Sequence, residues 1–400
     1  MVYPKYVHDI IRRLEDCGES AYIVGGSLRD MLLGTTPHDY DVATSALPER
    51  TLEIFSDMRV IETGLKHGTV TVIAQGEPVE VTTFRIDGEY SDSRHPDSVS
   101  FTDDIRADLS RRDFTVNAMA YNESRGLIDP FGGGEDVKRR VIRAVGQPEL
   151  RFGEDALRIM RAFRFSAQLG FSIDGQTLEG ASLRAEGLSN IARERIGSEF
   201  IKLVTSPYPS DALKTMVRMG ILKYALGEYT PSEKVIDRLD RMPREDYARL
   251  GFLLCETDRD RGREILHGLR CSGKQITGAL AVASGAKRRV LTPKDARDLI
   301  AVTGIYATAA AVASELTDVS PSGAADEVLR QKNTPCRLQD LKINGKALAA
   351  MGARGKTIGN TLDMLLKTVI EEPSLNEERT LLELAEKILK EDGKDKDVGN

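Results

Sequence analysis

Hydrophobic residues follow two different periodicities along this chain, and the change falls close to Gly146. In residues 1–140, short apolar or alternating runs are mixed with short amphipathic ones, which predicts strands interspersed with helices. AYIVGG (21–26) and YDVATS (40–45) have the composition of strands, and residues 68–86 fit a hairpin of two Val/Thr-rich strands around a Gly-Glu-Pro turn. The pattern predicts a small sheet in this first part.

After Gly146 apolar residues recur every three or four positions, and helix-ending residues separate the runs. The predicted fold class is therefore α+β, with a small-sheet first part followed by an all-helical remainder. Further breaks are expected near 207–210 and 292–293, where proline or turn residues interrupt the pattern.

Composition narrows the class of protein. The 400 residues are 40% hydrophobic and 30% charged, which is typical of a globular chain with several domains. No apolar run approaches the ~18 residues of a membrane-spanning helix, and the N-terminal segment lacks the apolar core of a secretory signal. The four cysteines are scattered, so neither structural zinc nor a disulfide framework is expected. These features predict a cytoplasmic protein with no membrane partner.

The net charge of −6 argues against indiscriminate binding to nucleic acids, but the charge is unevenly distributed. Between residues 136 and 165 eight lysines and arginines face only four acidic residues. Such a basic stretch in an acidic protein fits a localised phosphate-binding channel, and it equally fits a solvated helix face.

A glycine pair stands between the first predicted strand and a helix. Gly25 and Gly26 allow the backbone to approach a ligand closely, and a helix starting at Ser27 would point free N–H groups at an anion. Arg29, in the first turn of that helix, would add a charged fork for the same phosphates. The pattern predicts a nucleotide phosphate site.

Asp39 and Asp41 follow after a short gap. On a strand, residues two apart point to one side, so both carboxylates would face the same site. Clustered carboxylates repel each other unless a cation neutralises them, and oxygen ligands favour Mg²⁺. Two solvated aspartates at a loop edge are the alternative, but the spacing from the glycine pair favours metal-assisted nucleotidyl transfer, with both aspartates as catalytic metal ligands.

Five segments in this order resemble the motifs of class II nucleotidyltransferases of the polymerase-β superfamily. The similarity is greatest to the bacterial tRNA nucleotidyltransferases, or CCA-adding enzymes. The motif-bearing segments are VGGSLRDMLLGTTPHDYDVATSALPE (24–49), RRDFTVNAMAY (111–121), DPFGGGEDVKRRVIRAVG (129–146), EDALRIMRAFRF (154–165) and ARERIGSEF (192–200).

The resemblance implies that no nucleic-acid template is used, that CTP and ATP are the nucleotides, and that the tRNA 3′ end is the acceptor. No obligate protein partner is inferred. The resemblance also implies four parts, which the breaks in the pattern place at 1–140 (catalytic head), 141–206 (neck, which recognises the base), 207–292 (body) and 293–400 (tail, which binds tRNA).

Within EDALR, Asp155 and Arg158 are three residues apart and are expected on one helix face. Asp155 can accept a hydrogen bond from the exocyclic amine of cytosine or adenine, and Arg158 can donate to the acceptor beside it. Uracil and guanine present an oxygen in place of that amine. The alternative is an ordinary ion pair between the two residues. Arg161 and Arg164 continue the stripe, whereas Phe165 is expected on the buried side; by resemblance Arg112, Arg161 and Arg164 bind the nucleotide.

The polar segment 84–109 resembles the flexible loop that CCA-adding enzymes use when they switch from C to A addition. Glu80 could be a third metal carboxylate, a point that the sequence leaves open. A-only addition also remains open, and a poly(A) polymerase is less favoured because its basic head signature is not seen. A small-molecule nucleotidyltransferase would not need 250 further helical residues, and a non-catalytic RNA-binding protein would not need clustered acids.

Overall fold

A mixed sheet of seven strands, in the order β3-β4-β5-β2-β1-β8-β9, lies at the centre of the first part of the chain. The computed structural model describes residues 1–62, 64–65, 68–88 and 99–397. Its contacts separate two compact units, residues 1–230 with 268–270 and residues 231–267 with 271–400. The predicted fold class is confirmed, a small-sheet head followed by helices.

The strands of the first unit are β1 (Ala21–Val24), β2 (Asp41–Thr44), β3 (Arg59–Ile61), β4 (Thr69–Ala74), β5 (Glu77–Thr83), β6 (Arg85–Asp87), β7 (Val99–Phe101), β8 (Ala120–Asn122), β9 (Gly126–Ile128), β10 (Val141–Ile142) and β11 (Ser172–Ile173). Its helices are α1 (Lys5–Asp16), α2 (Gly25–Leu32), α3 (Pro48–Ile54), α4 (Ile105–Ser110), α5 (Gly133–Arg139), α6 (Pro148–Glu154), α7 (Leu157–Leu169), α8 (Gly175–Arg184), α9 (Arg193–Val204), α10 (Pro209–Arg218) and α11 (Lys223–Leu226).

Within the seven-stranded sheet, β2 and β5 run parallel and the other neighbours are antiparallel. This arrangement places Asp41 of β2 directly opposite Glu80 of β5. Tyr22, Phe84 and Leu109 belong to a buried apolar cluster on the sheet, and this cluster anchors the strands whose ends carry the polar side chains.

The predicted hairpin is confirmed as β4 and β5, but its turn differs from the expected one. Gln75 and Gly76 form the turn with positive φ angles of 54° and 90°, and Glu77 and Pro78 already belong to β5. Two consecutive residues with positive φ give the turn twist that matches antiparallel strands. The expected Gly-Glu-Pro turn is therefore wrong by about one position.

The triple glycine at 132–134 lies at the start of helix α5, with Gly132 as its N-terminal cap. The carboxylate of Asp129 accepts hydrogen bonds from the N–H groups of Gly133 (2.7 Å) and Gly134 (2.8 Å), two of the donors that a helix start leaves free. A Cβ on Gly133 would lie 2.1 Å from the carbonyl oxygen of Thr115, so only glycine fits there.

The helices predicted after Gly146 are confirmed. The one exception is the short strand β11, which pairs in parallel with β10. This two-residue ladder joins the chain before α6 to the chain after α7. On the other side of α7 packs α9, and Gly197 of α9 allows a close approach of the backbone at 268–270. A Cβ on Gly197 would lie 2.0 Å from the carbonyl oxygen of Leu269.

The second unit is helical throughout its described residues. Its helices are α12 (Glu233–Arg238), α13 (Asp246–Leu253), α14 (Arg259–Gly268), α15 (Gly273–Gly285), α16 (Pro293–Thr303), α17 (Ala307–Leu316), α18 (Ala324–Gln331), α19 (Gly345–Ala350), α20 (Lys356–Glu371) and α21 (Glu378–Asp397).

Two apolar cores stabilise this unit, one formed mainly by α16, α17 and α18 and one formed mainly by α19, α20 and α21. The stretch Pro293–Leu316 is long and apolar enough, by length and composition alone, to cross a membrane. It consists of α16 and α17 joined by a turn, and Leu299 and Ala310 within it belong to the first core, as in the core helices of a globular protein. The four-part division of the chain stays a prediction.

We expect Gly197→Ala to destabilise the first unit by about 1–3 kcal/mol, because the new methyl group must push the backbone at Leu269 away. Gly175→Ala is the control, since Gly175 is also a helical glycine of the first unit but has no neighbouring atom within 4 Å. Urea or thermal unfolding of both variants measures the difference. Equal stability of the two variants would contradict the tight packing at Gly197.

Candidate active site

A cleft of about 580 Å³ opens within the first unit, where the ends of β1, β2 and β5 face helix α7. Nine of the eleven residues expected from sequence to form the site line this cleft. They are Gly25, Gly26, Arg29, Asp41, Arg112, Asp155, Arg158, Arg161 and Arg164. The other two, Ser27 and Asp39, are not among the lining residues.

One end of the cleft is acidic. Asp41 and Glu80 both line it, from strand positions that face each other. Burial, together with the charges of Glu80 and Asp39 and against the opposing charge of Arg112, raises the pKa of Asp41 to about 6. A raised pKa indicates that the surroundings of the carboxylate do not supply enough positive charge to stabilise its ionised form. A bound cation would supply that charge.

Asp39 does not share a strand with Asp41, so this part of the sequence interpretation was wrong. Strand β2 begins at Asp41, and Asp39 lies exposed in the bend that precedes it. The alternation of side chains along a strand therefore does not fix the direction of Asp39. Its charge nevertheless acts on the pKa of Asp41, so the two residues lie near each other.

The glycine turn brings Arg112 close to Asp41. Gly25 has a φ of 73°, and a Cβ there would lie 3.2 Å from Nη1 of Arg112 and 3.4 Å from Oδ2 of Asp41. Helix α2 begins at Gly25, two residues before the expected start. Ser27 is consequently inside the helix, buried, with its hydroxyl donating to the carbonyl of Val24 at 2.9 Å.

Arg29 is fixed in a single orientation beneath the cleft. Its side chain is 4% exposed, donates to Oδ1 of Asp30 at 2.7 and 2.9 Å, and donates to Oδ1 of Asn117 at 2.8 Å. Arg29 was expected in the first turn of α2, but it lies in the second turn because the helix starts earlier. A guanidinium held this way presents a preorganised charge.

Helix α7 supplies a wall of arginines, as its pattern predicts. Arg161 donates to Asp113 at 2.7 Å, and Arg164 lies 2.8 Å from Glu199. Both guanidinium groups lie over the ring of Phe165, at 5.3 and 4.1 Å from its centre, so Phe165 faces the cleft rather than only the core. Burial lowers the pKa of Arg164.

Asp155 and Arg158 both line the cleft but do not share a helix face. Asp155 follows the last residue of α6 in an extended conformation, and α7 begins at Leu157. Its Oδ2 accepts from Arg195 at 3.0 Å, whereas Arg158 donates to Glu154 at 2.6 Å. The break between α6 and α7 overturns the expected i, i+3 geometry. The ion pairs that the structure shows instead are Asp155 with Arg195 and Arg158 with Glu154.

Two residues that the sequence interpretation missed organise this site. Arg195, in the segment ARERIGSEF, lines the cleft and orients Asp155. Asp108 is fully buried and holds Arg111 at 2.8 Å and Arg112 at 3.2 Å. An acid three and four residues before a pair of arginines was the available signal for Asp108.

The predicted loop at 84–109 lies partly outside the described residues, because 89–98 are not among them. The described part contains the antiparallel pair β6 and β7, in which Ile86 faces Ser100. The role expected for this loop in switching from C to A addition therefore stays a prediction.

Comparison with known proteins places these observations in context. Residues 21–143 match a family model described as the poly A polymerase head domain, and residues 170–232 match one described as a probable RNA and SrmB binding site of polymerase A. Over 392 residues, 95% of this chain, the sequence is 37% identical to a CCA-adding enzyme of Limosilactobacillus fermentum, of which 96% is covered.

Solved structures give the same picture. The Bacillus stearothermophilus CCA-adding enzyme in complex with CTP superposes with a TM-score of 0.85 at 32% identity, covering 98% of this chain and 100% of that one. The Thermotoga maritima CCA-adding enzyme complexed with tRNA-CCA superposes with a TM-score of 0.70 at 25% identity, covering 97% and 96%.

We expect Asp108→Asn to lower the free energy of unfolding at pH 7 by about 3–5 kcal/mol, because Arg111 and Arg112 lose their buried partner. Burial alone would raise the pKa of Asp108, but the charges of Arg112 and Arg111 outweigh it and hold that pKa below its usual value. The carboxylate therefore stabilises the fold above its unfolded pKa of about 3.9, and this stabilisation is lost as the pH falls below that value.

Denaturant unfolding of wild type and Asp108→Asn at pH 7, 5 and 3 measures this effect, and the difference should shrink only at the lowest pH. Asp57→Asn is the control, since Asp57 also pairs with an arginine (Arg13) but is exposed, and little change is expected. A difference between Asp108→Asn and wild type that does not depend on pH would show that the charge of Asp108 is not what stabilises the fold.

Proposed function

We propose, because this chain belongs to the family of CCA-adding enzymes, that it adds CMP and AMP from CTP and ATP to the 3′ end of tRNA without a template. Pyrophosphate is the second product. The observation that carries this proposal is that one cleft contains both an acidic end, formed by Asp41 and Glu80, and a wall of arginines on α7. Similarity over nearly the whole of the chain supports the choice of reaction.

The acidic end fits a divalent cation, and we infer Mg²⁺. Asp41 carries a raised pKa and is surrounded by the charges of Glu80 and Asp39, so its oxygens are suited to a hard cation. No three His, Cys, Asp or Glu side chains in the described part of the chain form a metal site alone, so oxygens of the nucleotide would complete the coordination. When bound, the cation would stabilise charge at the reacting phosphate.

The residues around the glycine turn are proposed to bind the triphosphate. Gly25 and Gly26 have no side chains, so the guanidinium groups of Arg112 and Arg29 lie close to the backbone at the start of α2. Arg29, Arg161 and Arg164 are held by acidic or amide partners and offer oriented positive charge. This charge would orient the triphosphate so that its α-phosphorus faces the attacking 3′ oxygen of the RNA.

Base selection is proposed to lie with Asp155 and Arg158, although their helix geometry differs from the expected one. Oδ1 of Asp155 accepts from the N–H of Leu157 at 2.9 Å, and Oδ2 accepts from Arg195. A carboxylate has about four acceptor positions, so an exocyclic amine of cytosine or adenine can still bind. Because Arg195 and Leu157 fix Asp155, the carboxylate cannot turn away from the carbonyl oxygen of uracil or guanine.

The decisive experiment supplies Mg²⁺ and one nucleoside triphosphate at a time to tRNA ending at the discriminator base, at C or at CC. Addition of two C residues followed by one A supports CCA addition. Addition of A alone to tRNA ending in CC marks an A-only enzyme, and a long A tail marks a poly(A) polymerase.

We infer a cytoplasmic protein, since all four cysteines are free thiols and three of them are buried.

We expect Asp41→Asn to reduce CMP addition by about 10²–10³-fold or more, because the cation loses a partly buried carboxylate ligand. Asp39→Asn should act in the same direction. Asp57→Asn, an exposed carboxylate elsewhere in the head, serves as the control. Near-wild-type turnover of Asp41→Asn in Mg²⁺, with an intact fold by circular dichroism, would refute the assignment.

Asp155→Ala should allow misincorporation of UTP or GTP, because the acceptor that disfavours their carbonyl oxygens is removed. Arg158→Ala should weaken CTP and ATP addition alike, since both bases accept a hydrogen bond from this donor. Single-nucleotide extension of tRNA with all four nucleoside triphosphates measures both effects. If both variants lose CTP and ATP addition yet still refuse UTP and GTP, the base is selected elsewhere.

A further inference from the structure

A second cavity, of about 490 Å³, lies in the second unit and is lined by three arginines. Arg238 ends helix α12, Arg241 follows it closely, and Arg289 comes from the loop between α15 and α16. Residues between 315 and 322, from the end of α17 and its connection to α18, also line the cavity. Three stretches that are distant in sequence thus bring guanidinium groups round one concave surface.

The backbone of this cavity is tied together by hydrogen bonds. Arg238 donates to the carbonyl of Leu316 at 2.6 Å and to Oδ1 of Asp318 at 2.7 Å. The loop that carries Arg289 is fixed on either side, because Ser314 Oγ donates to the carbonyl of Arg288 at 2.7 Å and the N–H of Val290 donates to Ser320 Oγ at 2.9 Å. The cavity is therefore preorganised.

The two acids in the lining already have partners. Asp318 pairs with Arg238 and with Lys234, and Glu315 accepts from the N–H of Ala325 at 2.8 Å. Arg241 and Arg289 are exposed and have neither an ion pair nor a hydrogen bond from their guanidinium groups within the part of the chain that the structure describes. Positive charge is thus left over in a concave site, where it attracts anions most strongly.

We propose that this cavity binds phosphate groups of an RNA backbone, through Arg241 and Arg289 with Arg238 in support. This inference rests on the proposed function, which makes RNA the partner. Guanidinium forks bind two phosphate oxygens at once, and the basic residues of the lining are all arginines. The cavity is several times larger than one phosphate ion and open to solvent, so it suits a length of phosphodiester chain.

The test is tRNA binding without nucleotide and with the metal chelated, measured by fluorescence anisotropy between about 50 and 250 mM KCl. We expect the double variant Arg241→Ala/Arg289→Ala to bind tRNA about tenfold more weakly. The slope of log K against log salt should also fall by about 1–2, since each phosphate contact contributes about 0.9. Affinity for CTP and kcat at saturating tRNA should be unchanged.

Arg263→Ala is the matched control, an exposed arginine of α14 outside the cavity, and it should leave the slope unchanged. Arg289→Lys keeps the charge without the fork and should restore part of the lost affinity; it also carries the test if the double variant fails to fold. An unchanged slope and affinity in the double variant overturn the proposal.

Titration with inorganic phosphate separates the two possible sources of the anion. If phosphate raises the Tm of wild type but not of the double variant while tRNA affinity is equal in both, a free anion binds here and the RNA proposal is overturned. Because the binding assay contains no nucleotide or metal, wild type that binds tRNA but adds no CMP refutes the proposed function alone.

Discussion

Each arginine that lines the cleft is held by a carboxylate or an amide of the first unit, and the site depends on this pairing. Asp108 holds Arg112, Asp113 holds Arg161, and Glu199 lies beside Arg164. Grouped guanidinium groups repel one another, and burial without a partner costs several kcal/mol per charge. The carboxylates make it possible to keep this positive charge in place without a ligand.

The same pairing links elements that are otherwise separate. Asp113 follows α4 in the head, whereas Arg161 belongs to α7, and Arg151 of α6 donates to the carbonyl of Ser110 at 2.8 Å. Glu199 comes from α9, whose close approach to the chain at 268–270 depends on Gly197. Packing between helices therefore determines where the acids lie, and the acids determine where the arginines lie.

At the acidic end of the cleft, by contrast, like charges lie next to each other. Asp41 and Glu80 are placed side by side by the parallel register of β2 and β5, and only Arg112 partly offsets their repulsion. Burial, and then the like charges that the sheet holds together, raise the pKa of Asp41 and leave the site short of positive charge. The arginines on one side of the cleft are thus neutralised by acidic partners, whereas the carboxylates at the other end are only partly neutralised. This arrangement is suited to a metal-bound triphosphate.

The fold class, the β4–β5 hairpin and the arginine stripe on α7 could be predicted from the amino-acid pattern alone, because each follows from the periodicity of a single segment. The sequence also identified nine of the cleft residues, since spacing and residue type survive small errors in element boundaries. It misplaced Asp39, Ser27 and the relation of Asp155 to Arg158, each of which depends on where a helix or strand starts or ends. Pairs such as Asp155 with Arg195 and Asp113 with Arg161 became visible only in the folded chain, because packing brings together partners that are far apart in the sequence.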